Sequence, residues 1–201
     1  CERKKLVTRV KRNFNNQLFE IFCQDNSTVM AKSLLIATGG HPSGRKLAAS
    51  FGHSIINPVP SLFTFSIQNK LLANCPGISV DDVKLSLFIS KKKYYQNGRI
   101  LITHWGLSGP AAIKLTAFAA RDLHLNKYQA RILVNWTGQT IDYVSKVLKD
   151  FRYLKSNSLL ANARPFLKIP KRLWISILSQ AFIDPNIFWS NLSKKAEDRL
   201  L

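Results

Sequence analysis

The chain has 201 residues, of which 46% are hydrophobic, and a formal net charge of +19 at pH 7. That length and apolar content suit one large domain or two small ones and exclude a predominantly disordered chain. No apolar run reaches the ~20 residues of a membrane-spanning helix, so no membrane span is expected.

No signal peptide is evident. Cys1 stands where an initiator Met would, as expected of a fragment. Cys1, Cys23 and Cys75 are odd in number and far apart, which suggests neither a disulfide framework nor a zinc site. The cytoplasm or an organelle stroma is the expected compartment. His41, His53, His104 and His124 are widely scattered, so no metal site is expected.

The basic charge has two explanations. It can attract nucleic acid or an anionic surface. It can also reflect a lysine-rich genome, or a segment cut from a more acidic whole. Arg3-Lys4-Lys5 and Lys91-Lys92-Lys93 are clusters, and the other cations are dispersed. No aromatic-interleaved nucleic-acid motif accompanies them, so nucleic acid is the lesser expectation.

In chain order, residues 6–11, 17–23 and 28–32 are expected as short strands. Residues 18–23 are apolar on both alternating faces except for Glu20, which suggests burial on both sides. Asp25-Asn26-Ser27 supplies the turn before the third strand. Residues 33–38 form an apolar run ending in small residues, the pattern of a buried parallel strand. A short helix is expected over residues 45–51, with Gly52 as its C′ residue, and another short strand over 53–56. Pro58-Val59-Pro60 enforces extended chain, and a domain crossing is expected near residues 65–70.

Beyond it, Val83, Leu85, Leu87 and Ile89 alternate along one strand face. Lys91 to Gly98 suggests a hairpin turning at Asn97-Gly98, with residues 99–103 as the return strand. A helix over 110–123 and a strand over 131–136 follow. The alanine-rich stretch of that helix is broken by Lys114 and ends at Arg121-Asp122, as a core helix would be. From Ile141 the spacing is helical through Val144, Val147, Leu148 and Phe151, and again through Leu173, Ile177, Leu178 and Ala181.

Two segments could carry chemistry. Ala37-Thr38-Gly39-Gly40 places a hydroxyl and unhindered amides at a strand end, where any Cβ would hold a ligand off the main chain. It could equally be an ordinary tight turn. Thr103-His104-Trp105-Gly106-Leu107-Ser108-Gly109-Pro110 joins a strand end, a glycine turn and a helix start. Ser108 is the expected N-cap and Pro110 suits the first turn. The amides that follow would favour an anionic or carbonyl oxygen. His104 could donate a hydrogen bond or move a proton, and Trp105 could stack on a planar ring. The residues alone also permit a capped helix beside a satisfied loop histidine.

Taken together, Ala37-Thr38-Gly39-Gly40 and the Thr-His-x-Gly-x-Ser-Gly-Pro segment resemble a family of two-domain FAD-dependent oxidoreductases whose FAD domain carries an inserted barrel domain. Known members include an amino-ketone oxidase and a reductase of unsaturated steroid ketones. The resemblance implies a central fragment of mixed α+β class. Residues 1–66 would be the C-terminal part of a Rossmann-like FAD domain, a β-meander plus one parallel core strand. Residues 67–201 would be a small antiparallel barrel with a helical part. It also implies that Ala37, Thr38, Gly39 and Gly40 lie against FAD. Thr103, Trp105, Gly106, Ser108 and Gly109 would line a substrate and flavin cleft, with His104 as a catalytic candidate.

The implied activity is oxidation or reduction of a small or medium organic substrate of ketone, enone or amine type, with NAD(P)H as a further cofactor candidate. Partners would be that substrate and the missing N- and C-terminal parts of the same chain. No Gly-x-Gly-x-x-Gly follows a strand. His41-Pro42-Ser43-Gly44-Arg45-Lys46 replaces the longer, acidic glycine loop usual in the family. A basic nucleic-acid-binding module and a non-catalytic remnant on a flavoprotein scaffold are the alternatives.

Overall fold

The computed structural model describes residues 4–13, 15–67 and 69–201. Cys1 and Arg3 lie outside them. The chain divides into two compact units, Cys1–Pro58 and Val59–Leu201. The division falls inside the proline-rich stretch, ahead of the 66/67 boundary expected from sequence.

In the first unit, β1 (Val7–Asn13), β2 (Leu18–Cys23) and β3 (Thr28–Ala31) form an antiparallel meander in the order β1-β2-β3. Asp25 organises the β2–β3 turn by accepting from the Ser27 amide at 3.0 Å, and Asn26 takes φ 61°. Val10 and Cys23 are buried. Residues 33–38, expected as a buried parallel strand, belong to no strand, and Leu35 is 86% exposed. A parallel strand is held by ladder partners and by helices over its faces. No described strand of this unit pairs with the segment. Residues 53–56 likewise form no strand.

Helix α1 (Pro42–Ser50) starts earlier than expected because His41 caps it, its side chain accepting from the Ser43 amide, with Pro42 in the first turn. It ends in a Schellman motif. Gly52, at φ 83°, donates to the Ala49 carbonyl at 3.0 Å, and His53 donates to Ala48 at 3.3 Å.

The second unit contains a five-stranded antiparallel sheet curled into a half-barrel. Its strands are β4 (Phe65–Ser66), β5 (Ser79–Ile89), β6 (Lys92–Thr103), β7 (Gly106–Ser108) and β8 (Arg131–Asn135), in the order β4-β7-β6-β5-β8. A short helix, α2 (Lys70–Ala73), precedes β5. Val83, Leu85 and Leu87 of β5 and Ile100 and Ile102 of β6 are fully buried. They share one core with Ala111, Ala112, Leu115 and Ala119 of α3 (Pro110–Leu125). Thr116 ties this helix to the segment before β4. Its hydroxyl donates to the Phe63 carbonyl at 3.2 Å, and the Phe63 amide donates back at 3.4 Å.

The β5–β6 hairpin turns at Ser90-Lys91, where Ser90 takes φ 51°, and Ile89 pairs with Lys92. Asn97-Gly98, expected as the turn, instead lies within β6 opposite Lys84 and Val83. Burying all four alternating residues of β5 fixes the register, and that overrides the local turn preference of Asn-Gly.

The helical part comprises α4 (Ile141–Leu154), α5 (Lys171–Gln180), a 3-10 turn at Trp189–Asn191 and α6 (Lys194–Asp198). Trp174 and Trp189 stack with ring centroids 6.4 Å apart, and their indole nitrogens donate to the Leu160 and Ala163 carbonyls. Glu197 is buried, and Lys194 at 3.2 Å and Arg152 at 3.6 Å offset its charge. No helix among the described residues is long and apolar enough to cross a membrane.

Candidate functional site

Each unit carries one of the two segments singled out from the sequence. In the first unit, Ala37, Thr38, Gly39 and Gly40 form an exposed turn leading into α1. The His41 amide closes it by donating to the Thr38 carbonyl at 3.2 Å. Gly39 takes φ 57°, and a Cβ on Gly39 or Gly40 would meet nothing within 4 Å. The space above both glycines is therefore open to a ligand resting on bare main chain.

Sequence reasoning missed two supports of this turn. Gly44, buried in α1, packs against the Thr38 side chain so closely that any Cβ there would collide with the Thr38 hydroxyl. The start of α1 therefore lies tight against the turn. Arg45 donates to the Gly40 carbonyl at 3.2 Å, which holds a cation beside the turn. Open glycines, the Thr38 hydroxyl and an adjacent guanidinium are groups that could hold part of a pyrophosphate-bearing cofactor.

In the second unit, Thr103, His104, Trp105 and Gly106 form the tight β6–β7 connection. With Ser66 and Ile67 they line an open cleft of about 560 Å³. The Thr103 hydroxyl donates to the Gly106 carbonyl at 3.2 Å, and the Ile67 amide donates to the Trp105 carbonyl at 2.8 Å. The backbone is thereby fixed from both sides. His104 is exposed, and Trp105 is 58% exposed. A histidine donor and a planar ring thus stand together at the mouth of one cleft.

Ser108 and Gly109 are not among the residues lining that cleft. Ser108 ends β7, paired with Leu101, and does not cap α3 as expected. Gly109 is the N-cap, at φ 95°, with no side-chain cap bond. A Cβ on Gly109 would come within 2.9–3.1 Å of the Arg99–Leu101 backbone, so the chain passes too close to β6 for a serine there. Ala111 and Ala112 are fully buried, so the start of α3 is packed and not open to an anion.

A polar cluster of the second unit lies elsewhere. Lys92 donates to both Asp122 oxygens at 2.8 and 2.9 Å, and Tyr94 donates to the same carboxylate. The hydrogen bond from Lys92, then that from Tyr94, lowers the Asp122 pKa. The bond to Asp122 raises those of Lys92 and Tyr94. The cluster joins β6 to the end of α3. Among the described residues, no group of three His, Cys, Asp or Glu is placed to hold a metal ion.

A curled antiparallel half-barrel followed by packed helices defines a barrel-plus-helices domain. Residues 59–201 match the family model described as "HI0933-like protein barrel and H2TH domain". The chain belongs to that family, which lies within the FAD-dependent oxidoreductase superfamily. It is similar to a "Ribosomal RNA dihydrouridine synthase" of Haemophilus influenzae, at 34% identity over 56% of this chain and 30% of the relative. It is also similar to a "3-dehydro-bile acid delta(4,6)-reductase" of Clostridium scindens, at 24% identity over 88% of this chain and 47% of the relative. The chain thus spans less than half the length of either curated relative.

Proposed function

We propose that this chain is part of an FAD-dependent oxidoreductase that reduces a carbon–carbon double bond conjugated to a carbonyl. One observation carries this reading: the two relatives are named for the same change of bonding. Dihydrouridine is uridine with the C5–C6 double bond, conjugated to C4=O, saturated. A delta(4,6)-reductase acts on double bonds conjugated to a 3-keto group. When bound and reduced with two electrons from NAD(P)H, the flavin would supply a hydride to the carbon β to the carbonyl and return to its oxidised form. A proton added at the α-carbon completes the reduction.

The residues take these roles in the proposal. Ala37, Thr38, Gly39 and Gly40 rest against the adenosine and pyrophosphate end of FAD, with Arg45 adding positive charge. His104 donates to the substrate carbonyl, drawing electron density from the double bond. Trp105 stacks on the planar conjugated system. Thr103 and Gly106 hold that loop in shape, and Ser108 and Gly109 form the β7–α3 corner behind it.

Full-length protein tests the reading. It should copurify with flavin absorbing near ~450 nm, bleach with NAD(P)H without air, and regain colour when a conjugated enone is added. Folded full-length protein without flavin would overturn it. So would reduced flavin that neither a cyclic enone nor a uridine-containing oligonucleotide reoxidises.

A further inference from the structure

The outer face of β6, β5 and β8 carries a pattern that no single strand shows. The registers place Lys93, Phe88 and Arg131 in one cross-strand row, Tyr95, Ser86 and Leu133 in the next, and Asn97, Lys84 and Asn135 in the third. These are the strand positions that alternate with buried Val83, Leu85 and Leu87. The Lys93 ammonium lies 5.0 Å from the Phe88 ring centroid and 5.1 Å from that of Tyr95. The Arg131 guanidinium lies 4.7 Å from the Phe88 centroid. Phe88 thus holds a cation from each neighbouring strand, and Tyr95 is 58% exposed beside them. Three of the nine side chains are cations, two are aromatic, and none is acidic.

We propose that this face docks single-stranded RNA. Single-strand binding needs cations that track phosphates and aromatic faces on which bases stack. Here the cations are fixed by cation–π contacts, so less side-chain freedom is lost on binding. Tyr95 offers the stacking surface. Ser86, Asn97 and Asn135 offer hydrogen bonds to sugar and base edges. The net charge of +19 supplies the long-range attraction that brings a polyanion to the face. A membrane surface would use the same charge and ring, but the polar Ser86, Asn97 and Asn135 around Tyr95 favour a ligand that offers sugar and base edges to bond. The docking stands on the face alone. That a uracil in the docked strand is then reduced rests on the reductase reading above.

Binding of a fluorescein-labelled 20-nucleotide oligouridylate to the 201-residue chain, followed by anisotropy over a salt series, is the test. Arg131→Glu should weaken binding about tenfold or more. It should also make the slope of log Kd against log salt shallower by about one. Lys114→Glu makes the same charge change at an exposed position of α3, which packs on the opposite, buried face of the sheet, and should do distinctly less. Tyr95→Ala, which leaves the charge unchanged, should weaken binding by about 5- to 100-fold, the range of one lost stacking contact. Circular dichroism confirms that each variant is folded.

Equal losses from Arg131→Glu and Lys114→Glu, with parental affinity in Tyr95→Ala, would overturn the proposal in favour of diffuse charge. Binding to phosphatidylserine vesicles that these variants lose, without oligouridylate binding, would overturn it in favour of a membrane. Oligouridylate that binds as described but fails to reoxidise reduced flavin in the full-length protein supports the docking face and refutes the reductase reading for RNA. Reduction of a small enone without oligouridylate binding does the reverse.

Discussion

Gly106 lies directly against the backbone carbonyl of Phe65, with no room between them for a side chain. The contact is the β4–β7 pairing itself, in which Phe65 pairs with Leu107 and Ser66 with Gly106. Gly106 also takes φ 149°. Gly106→Ala should therefore cost about 1–3 kcal/mol from backbone strain, with further loss as β4 is pushed off the sheet edge. Urea unfolding of the chain would measure it. Parental stability would mean that β4 is not held where described.

The start of α3 sets up a matched comparison. Ser108 makes no capping bond there, whereas the Thr140 hydroxyl accepts from the Tyr143 amide at 3.3 Å and caps α4. Thr140→Ala should cost about 0.5–2 kcal/mol as a lost N-cap, and Ser108→Ala distinctly less. Reversal of that order in paired denaturation curves would restore Ser108 as a cap.

The Asp122 cluster predicts a pH dependence at both ends. Its carboxyl is lowered below the ordinary value of 3.8. Its contribution is therefore present above about pH 4 and lost as pH falls through the lowered value. Lys92 and Tyr94 are raised above 10.5 and 10.0. Their contributions are present below those values and lost as pH rises through the raised ones. Asp122→Asn should lower the melting temperature across the neutral range and leave it closer to the parent at both extremes. A uniform offset from pH 2 to 12 would show that the cluster contributes nothing through charge.

Gly39→Val in the full-length protein should abolish flavin retention, because a branched side chain would fill the open space over the turn and oppose φ 57°. The ~450 nm band per protein measures it, with circular dichroism to confirm folding. Normal flavin content in the folded variant would make the turn purely structural.

His104→Ala separates chemistry from shape. His104 is exposed at the cleft mouth, so its loss should leave stability within about 0.5 kcal/mol. Flavin reoxidation by an enone should slow by about tenfold or more, as expected for a lost carbonyl donor. Stopped-flow traces equal to the parent's would remove His104 from the reaction.

What the sequence revealed was mostly what neighbouring residues decide. The alternation of Val83, Leu85, Leu87 and Ile89 matches the buried face of β5, and Gly52 ends α1 through contacts within two turns. Features fixed from a distance were illegible. Asn97-Gly98 looks like a turn until the burial of β5 sets the register. Ser108 looks like a cap until the closeness of β6 hands that place to Gly109. Residues 33–38 look like a core strand, yet only other strands could make them one. The charge looked diffuse because Arg131, remote in sequence, joins Phe88 and Lys93 only through the β5–β8 pairing.

The two-residue turn at Ser90-Lys91 also bears on how quickly the barrel unit orders itself. Closing so short a loop carries little entropy cost, so the long β5–β6 hairpin should form early. Strand β8 reaches β5 only after α3 has intervened in the chain, which makes its pairing a late event. Arg131 should then have a φ-value near zero, and its substitution should speed unfolding while leaving the folding rate almost unchanged. The β8 edge of the basic face would be among the last parts of the unit to assemble and among the first to come apart.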